Sequence, residues 1–166
     1  MKQLILTVVI MSLLFIIASI GINNIAKETG NNVFRAENIE HTTQVIIGDV
    51  TFETEVATTD SEQLKGLSGI KNIKPNQAML FPFSPPTIPS FWMKDMLFNI
   101  DIVWISNNKV VEITPNLVAP VKGTSASKLK TYSPSQVVDY VLEIKAGESG
   151  KINVGDEVKI IELDGS

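Results

Sequence analysis

The chain has no cysteine and a single histidine. The first absence excludes disulfides, thiol nucleophiles and cysteine-ligated zinc. It leaves the redox compartment open, because a cysteine-free chain suits either side of a membrane. The histidine, His41, stands in a polar stretch ahead of the main body and is read as solvated, since metal and acid–base sites need converging partners. With neither residue type inside that body, a Ser-His or Cys-His pair is excluded. Positive charge does not dominate either: 14 Lys and Arg against 18 Asp and Glu give a net charge of −4, and the pI is near 5.0. Nothing general in the electrostatics therefore calls for nucleic acid, and none is expected as a partner. No glycine pattern cradles a phosphate: Gly66, Gly69, Gly147 and Gly155 stand where turns need them. A metal would need oxygen ligands alone, and no EF-hand-like spacing supplies them. No metal and no cofactor are expected.

What is abundant at the start of the chain is apolar sequence. Lys2 is followed by the uncharged run Leu4–Ile22. As a helix this run spans roughly 28 Å, close to the hydrocarbon core of about 30 Å. A cleaved signal peptide has a shorter apolar region before a small-residue site, whereas the small residues 18–21 lie inside this run. Residues 1–22 are therefore read as an uncleaved signal-anchor in contact with membrane lipid through 4–22. The alternative is a cleaved signal peptide and a secreted product. Lys2 favours a cytoplasmic amino terminus, and Lys27 on the far flank opposes it. The rest of the chain is then extracytoplasmic. Residues 23–43 are polar, with scattered Asn, Glu and Gly, and read as a linker.

From Gln44 the pattern becomes that of a mainly-β domain, 44–164, of sandwich or barrel-like form with one short helix. QVII, Gly48-Asp49 and VTFETEVA read as strand, turn, strand. Val50, Phe52, Thr54 and Val56 alternate with Thr51, Glu53, Glu55 and Ala57, so Glu53 and Glu55 read as a wet face. Thr59, Asp60 or Ser61 can cap a short helix that ends at Gly66 or Gly69, with Leu64 and Leu67 pointing inward. AMLFPF is a short strand in which Pro82 predicts an edge position or a bulge. NIDIVWIS and KVVEIT flank Asn107-Asn108, a hairpin signal, because asparagine tolerates the positive φ of tight turns. Residues 115–135 form a long loop carrying Lys122, Lys128 and Lys130 and no acid. VVDYVLEIKAG returns to strand, with Val138, Tyr140, Leu142 and Ile144 on one face. A last strand ends the domain.

The stretch SFWMKDMLFNIDIVWI is the most unusual, because it is apolar and aromatic yet carries Lys94, Asp95 and Asp101. In one unbroken strand Lys94 and Asp101 face opposite sides; a break near 97–99 would let them meet. One reading is a buried Lys94–Asp101 ion pair, or Asp101 bonding loop amides, which fixes register more than it stabilises. The other places Trp92, Lys94 and Asp101 at the mouth of a ligand pocket. Trp92 and Trp104 suit a core, but if exposed together with Tyr132 they would form a surface for sugar rings. Lys122, Lys128 and Lys130 are candidate contacts for an anionic polymer or for phospholipid headgroups.

GL-SG, MLF-F, FWMK, an aspartate beyond that lysine, VVEI, YVLEI-AG and INVGDEV occur in one order. In this the chain resembles a widespread uncharacterised bacterial and archaeal family, domain of unknown function one hundred and ninety-two, over roughly residues 45–162. The resemblance implies a compact mainly-β domain, often exported behind a hydrophobic segment, and implies no activity. Departures from the family pattern are Ile70 near the place of an arginine and Ala78 for a glycine before MLF. Asp95-Met96 stand for Asn-Thr after FWMK, and Asn99 stands for a proline.

The expected function is a membrane-anchored extracytoplasmic binding or accessory module for an envelope polymer or glycan. Its candidate ligand-binding residues are Trp92, Lys94, Asp101 and Tyr132. The alternatives are a small extracytoplasmic hydrolase using Lys94 and Asp101, and a structural partner of another membrane protein.

Overall fold

The computed structural model describes residues 41–164. The run 4–22 and most of the polar linker lie outside them. Among the described residues no helix is long and apolar enough to cross a membrane. The strands are β1 His41–Ile47, β2 Val50–Val56, β3 Gln77–Thr87, β4 Phe91–Trp92, β5 Ile100–Ser106, β6 Lys109–Leu117, β7 Thr131–Tyr132, β8 Val138–Lys145 and β9 Val158–Asp164, with the helix α1 at Asp60–Lys65. The domain is mainly β with one short α-helix.

Local sequence explains the tight turns. Gly48, at φ 56°, joins β1 to β2. Asn107 and Asn108, at φ 52° and 57°, make the β5–β6 link, and Ser106 pairs with Lys109 across it. Both central positions of such a turn need positive φ, which asparagine adopts at low cost. Thr59 caps α1: its hydroxyl accepts from the Glu62 N–H at 3.2 Å, and the Glu62 carboxylate accepts from the Thr59 N–H at 2.9 Å. This reciprocal pair satisfies donors that a helix start otherwise leaves open.

Seven strands form one sheet in the order β6-β5-β8-β3-β2-β1-β9, and β4 pairs with β7 apart from it. The outer strands of the large sheet return to each other at one end. Lys109 bridges Glu157, the Val110 N–H donates to the Asp156 carbonyl at 3.0 Å, and the Gly155 N–H donates to the Val110 carbonyl at 2.8 Å. Alternation along β3, β5 and β8 divides the core in two. Phe52, Leu80, Val103 and Leu142 belong to the cluster on one face. Phe81, Ile102, Trp104 and Val141 belong to the cluster on the opposite face, which the connections cover with Leu67, Ile73, Met93 and Met96. β5 is buried at every position, so its continuous apolar run is that of a strand covered on both sides.

Tertiary pairing changes several local expectations. His41 is not in a linker but starts β1, opposite Asp164 of β9. Leu64 is 70% exposed, whereas Leu67 is 1% exposed. The helix is too short to bring both inward; Gln63 takes the inward place, its amide donating to the carbonyls of Ala57 at 3.3 Å and Pro82 at 3.1 Å. β3 runs between β2 and β8, yet the expectation of an edge position or a bulge at Pro82 holds locally. The strand tolerates Pro82 because β2 pairs with it only as far as Leu80, and its register with β8 slips between Pro82 and Thr87.

Asp101 answers for part of the charge in the apolar stretch. It is 1% exposed, and its carboxylate accepts three backbone N–H bonds. Asn116 donates to Oδ1 at 2.7 Å, while Gly147 and Ser149 donate to Oδ2 at 2.9 and 3.1 Å. One side chain thereby ties the end of β6 and the turn after β8 to β5, and supplies buried amides with acceptors they would otherwise lack. Asp101→Asn puts an NH2 group against an N–H donor, and should lower the folding free energy by roughly 2–4 kcal/mol. Urea denaturation measures this; an unchanged midpoint would remove the anchoring role.

Candidate functional site

The covering connections do not close over the face that carries Phe81. A cleft of about 380 Å³ remains between α1 with the turn after it, β3, and the Pro89–Trp92 segment. Four separated stretches meet there. Gly66, Leu67 and Ser68 come from GLSG, Phe81 and Phe83 from MLFPF, Phe91 and Trp92 from FWMK, and Glu143 from YVLEI. Two hydrogen bonds latch the first stretch to the third: the Ser68 hydroxyl donates to the Lys94 carbonyl at 2.7 Å, and the Gly69 N–H donates to the Asp95 carbonyl at 2.9 Å. Asp95 reaches this contact at φ 57°. The Phe91 ring sits edge-on to Phe81, with centroids 5.0 Å apart, and to Trp104 at 5.7 Å. These contacts fix the aromatic wall.

The sequence-predicted site residues separate. The break between β4 and β5 exists, but Lys94 and Asp101 do not pair across it. Lys94 lies 3.6 Å from the Asp95 carboxylate and 5.9 Å from the Trp92 ring centroid, half exposed to solvent. Asp101 is engaged by its three amides on the opposite side of β5 from Ile102 and Trp104. Trp92 is 37% exposed and forms a lip of the cleft. Tyr132 pairs with Phe91 across the small sheet, packs partly buried against the apolar cluster, and carries Lys130 4.7 Å from its ring centroid. Lys122 and Lys128 are exposed on the connection between β6 and β7. Trp104 is core, its indole N–H donating to the Thr114 hydroxyl at 2.8 Å. Ile70, near the place of the family arginine, packs against the apolar cluster.

Sequence reasoning passed over Glu143. It is 5% exposed, and its cross-strand neighbours are Met79 on β3 and Ile102 on β5. Burial pushes its carboxyl up to about 8, against a smaller opposing pull from a hydrogen bond donated by the Leu67 backbone. Its Oε2 has no hydrogen-bond partner. The signal was a lone acid between Leu142 and Ile144 in a strand whose two faces are both apolar. Among the described residues no group of three or more His, Asp or Glu is placed to hold a metal.

The model of the family DUF192, described as "Uncharacterized ACR", matches residues 43–160, and the chain belongs to that family. Two crystal structures are similar to it. A protein of unknown function from Novosphingobium aromaticivorans is 25% identical, with a TM-score of 0.61 over 71% of this chain and 83% of that one. A candidate transcription regulator from Sinorhizobium meliloti is 22% identical, with a TM-score of 0.62 over 72% of this chain and 92% of that one, a likeness of fold alone. No curated protein matches the chain.

Glu143 has a measurable signature. Its folded carboxyl holds a proton up to about pH 8, against an ordinary value of 4.5. Between those values the unfolded chain has lost the proton and the folded chain keeps it. This contribution to stability is therefore complete at low pH, falls as pH rises through the interval, and levels off above it. The slope is on the order of 1 kcal/mol per pH unit at most. Glu143→Gln removes the ionisation, so the stability of the variant relative to the native chain should rise steadily from pH 5 to 8 in urea titrations. A constant difference would mean that Glu143 titrates normally.

Proposed function

We propose that this member of the DUF192 family is a binding module, held on the outer side of a membrane by the run Leu4–Ile22, whose cleft takes part of an envelope polymer or glycan. The carrying observation is the cleft itself: an opening of about 380 Å³ with aromatic walls and a Trp92 lip that is 37% exposed. An indole so placed offers an apolar face to a sugar ring and a polar edge to water. The return of β6 to β9 favours a barrel-like reading of the sheet over a sandwich, and such a frame holds the walls rigid. Lys122, Lys128 and Lys130 supply positive charge for anionic groups of the same polymer or for lipid headgroups. The hydrolase alternative through Lys94 and Asp101 draws no support from the geometry, because the two side chains are committed to different partners.

Two measurements test this. In intact cells, protease added from outside should cleave within residues 41–164; protection of the whole domain would put it in the cytosol and end the envelope reading. The full chain in detergent should bind at least one soluble envelope glycan saturably, and Trp92→Ala should weaken that binding by about tenfold or more, the equivalent of roughly 1.4 kcal/mol. Glycan, polymer-fragment and lipid screens without a saturable, Trp92-dependent hit would favour the structural-partner alternative.

A further inference from the structure

Resting on that reading of the cleft, we infer that Glu143 is its ligand-reading group: Oε2 donates a hydrogen bond to the carbonyl of an uncharged acyl group, as in an acetamido sugar, whose methyl packs on Phe81, Leu67 and Met96. Buried polar atoms are nearly always partnered, and an exception calls for a reason. Oε2 of Glu143 is buried without a partner, in a side chain that lines the cleft. The other demand on the carboxyl, the Leu67 N–H, comes from the protein itself.

The space next to Oε2 is kept open by backbone conformation. Gly66 closes α1 at φ 48° and ψ −136°, a conformation that a side chain makes costly. A Cβ there would stand 3.5 Å from Glu143 Oε2 and 3.4 Å from the Phe81 ring. The missing side chain leaves room for a ligand atom beside the oxygen.

The charge balance selects the ligand's chemistry. Met79, Ile102, Phe81, Leu67 and Met96 around the carboxyl are apolar. Lys65 is the other titratable side chain lining the cleft, and it is exposed. Among the described residues no cation is placed to hold Glu143 ionised, so burial keeps it neutral at physiological pH. A neutral carboxyl offers an O–H, which rejects an anion less than a carboxylate would and prefers a carbonyl acceptor to an ammonium. The polar groups at the mouth, Ser68, Ser90 and Thr131, are uncharged as well.

The test uses the full chain in detergent and chitotetraose in its N-acetylated and deacetylated forms, with binding followed by calorimetry. The acetylated form should bind at least about tenfold more tightly near pH 6.5. Glu143→Gln, which keeps an N–H donor, should stay within about threefold of the native chain, and Glu143→Leu should lose about tenfold or more while still unfolding cooperatively. Affinity for the acetylated form should fall in the native chain as pH rises past 8 and stay level in Glu143→Gln. If Glu143→Leu does not fold, that pH comparison decides. Preference for the deacetylated form would mean that an ionised Glu143 pairs with ammonium, and overturns the inference. Binding that depends on Trp92 and ignores Glu143 overturns it too, yet leaves the cleft reading intact. Failure of both sugars to bind also overturns it, and the wider envelope screen then decides the cleft reading separately.

Discussion

The central constraint on this molecule is that β5 must be dry on both faces. A strand of seven buried residues at the heart of a single sheet needs two apolar covers. Curling of the sheet provides one, by turning Phe52, Leu80 and Leu142 toward each other. Among the described residues no second sheet of comparable size provides the other. It has to come from the connections, so the stretches around α1, before β5 and after β6 lie down on the Phe81 face. Because each is short and irregular, their cover is imperfect, and the cleft is the gap among them. Fold and candidate site thus have one origin: the site is where a sheet with two greasy faces runs out of lid.

Two buried acids, one on this strand and one on its neighbour β8, show how neighbourhood decides the role of a carboxyl. Asp101 meets three amide donors, whose N–H groups replace the water it has lost. Glu143 meets one, between Met79 and Ile102, and burial wins. The first carboxyl is a clasp joining turns that are far apart in sequence. The second has, among the described residues, no partner for its Oε2 and one backbone hydrogen bond, from Leu67.

Much of this was legible in the sequence wherever the determinant is local. Asn107-Asn108 and Gly48 announce their hairpins through φ, and Thr59, Asp60 or Ser61 announces the helix start, of which Thr59 is the cap. Alternation across Phe52 and Thr54 gives the right inward face. The misreadings fall where distant strands decide. His41 looks like linker until β9 pairs with its strand. Leu64 fits an inward helical position, yet Gln63 occupies it to satisfy two carbonyls. At the site, Trp92 was legible as an aromatic in an unusual setting. For Asp101 the reading as an acceptor for loop amides held and the ion pair with Lys94 did not, although sequence proximity could not reveal that the amides belong to residues 116, 147 and 149. Glu143 escaped notice because in YVLEI it looks like the polar beat of an ordinary alternating strand.

The return of β6 to β9 has an effect beyond shape. An open sheet offers its outermost backbone N–H and C=O groups as a template on which a second copy can grow. Here Lys109, Val110, Gly155 and Glu157 satisfy such groups on one another at one end of the sheet, so that end is closed to edge-to-edge pairing. A protein crowded among identical neighbours on one surface would benefit most from such self-capping.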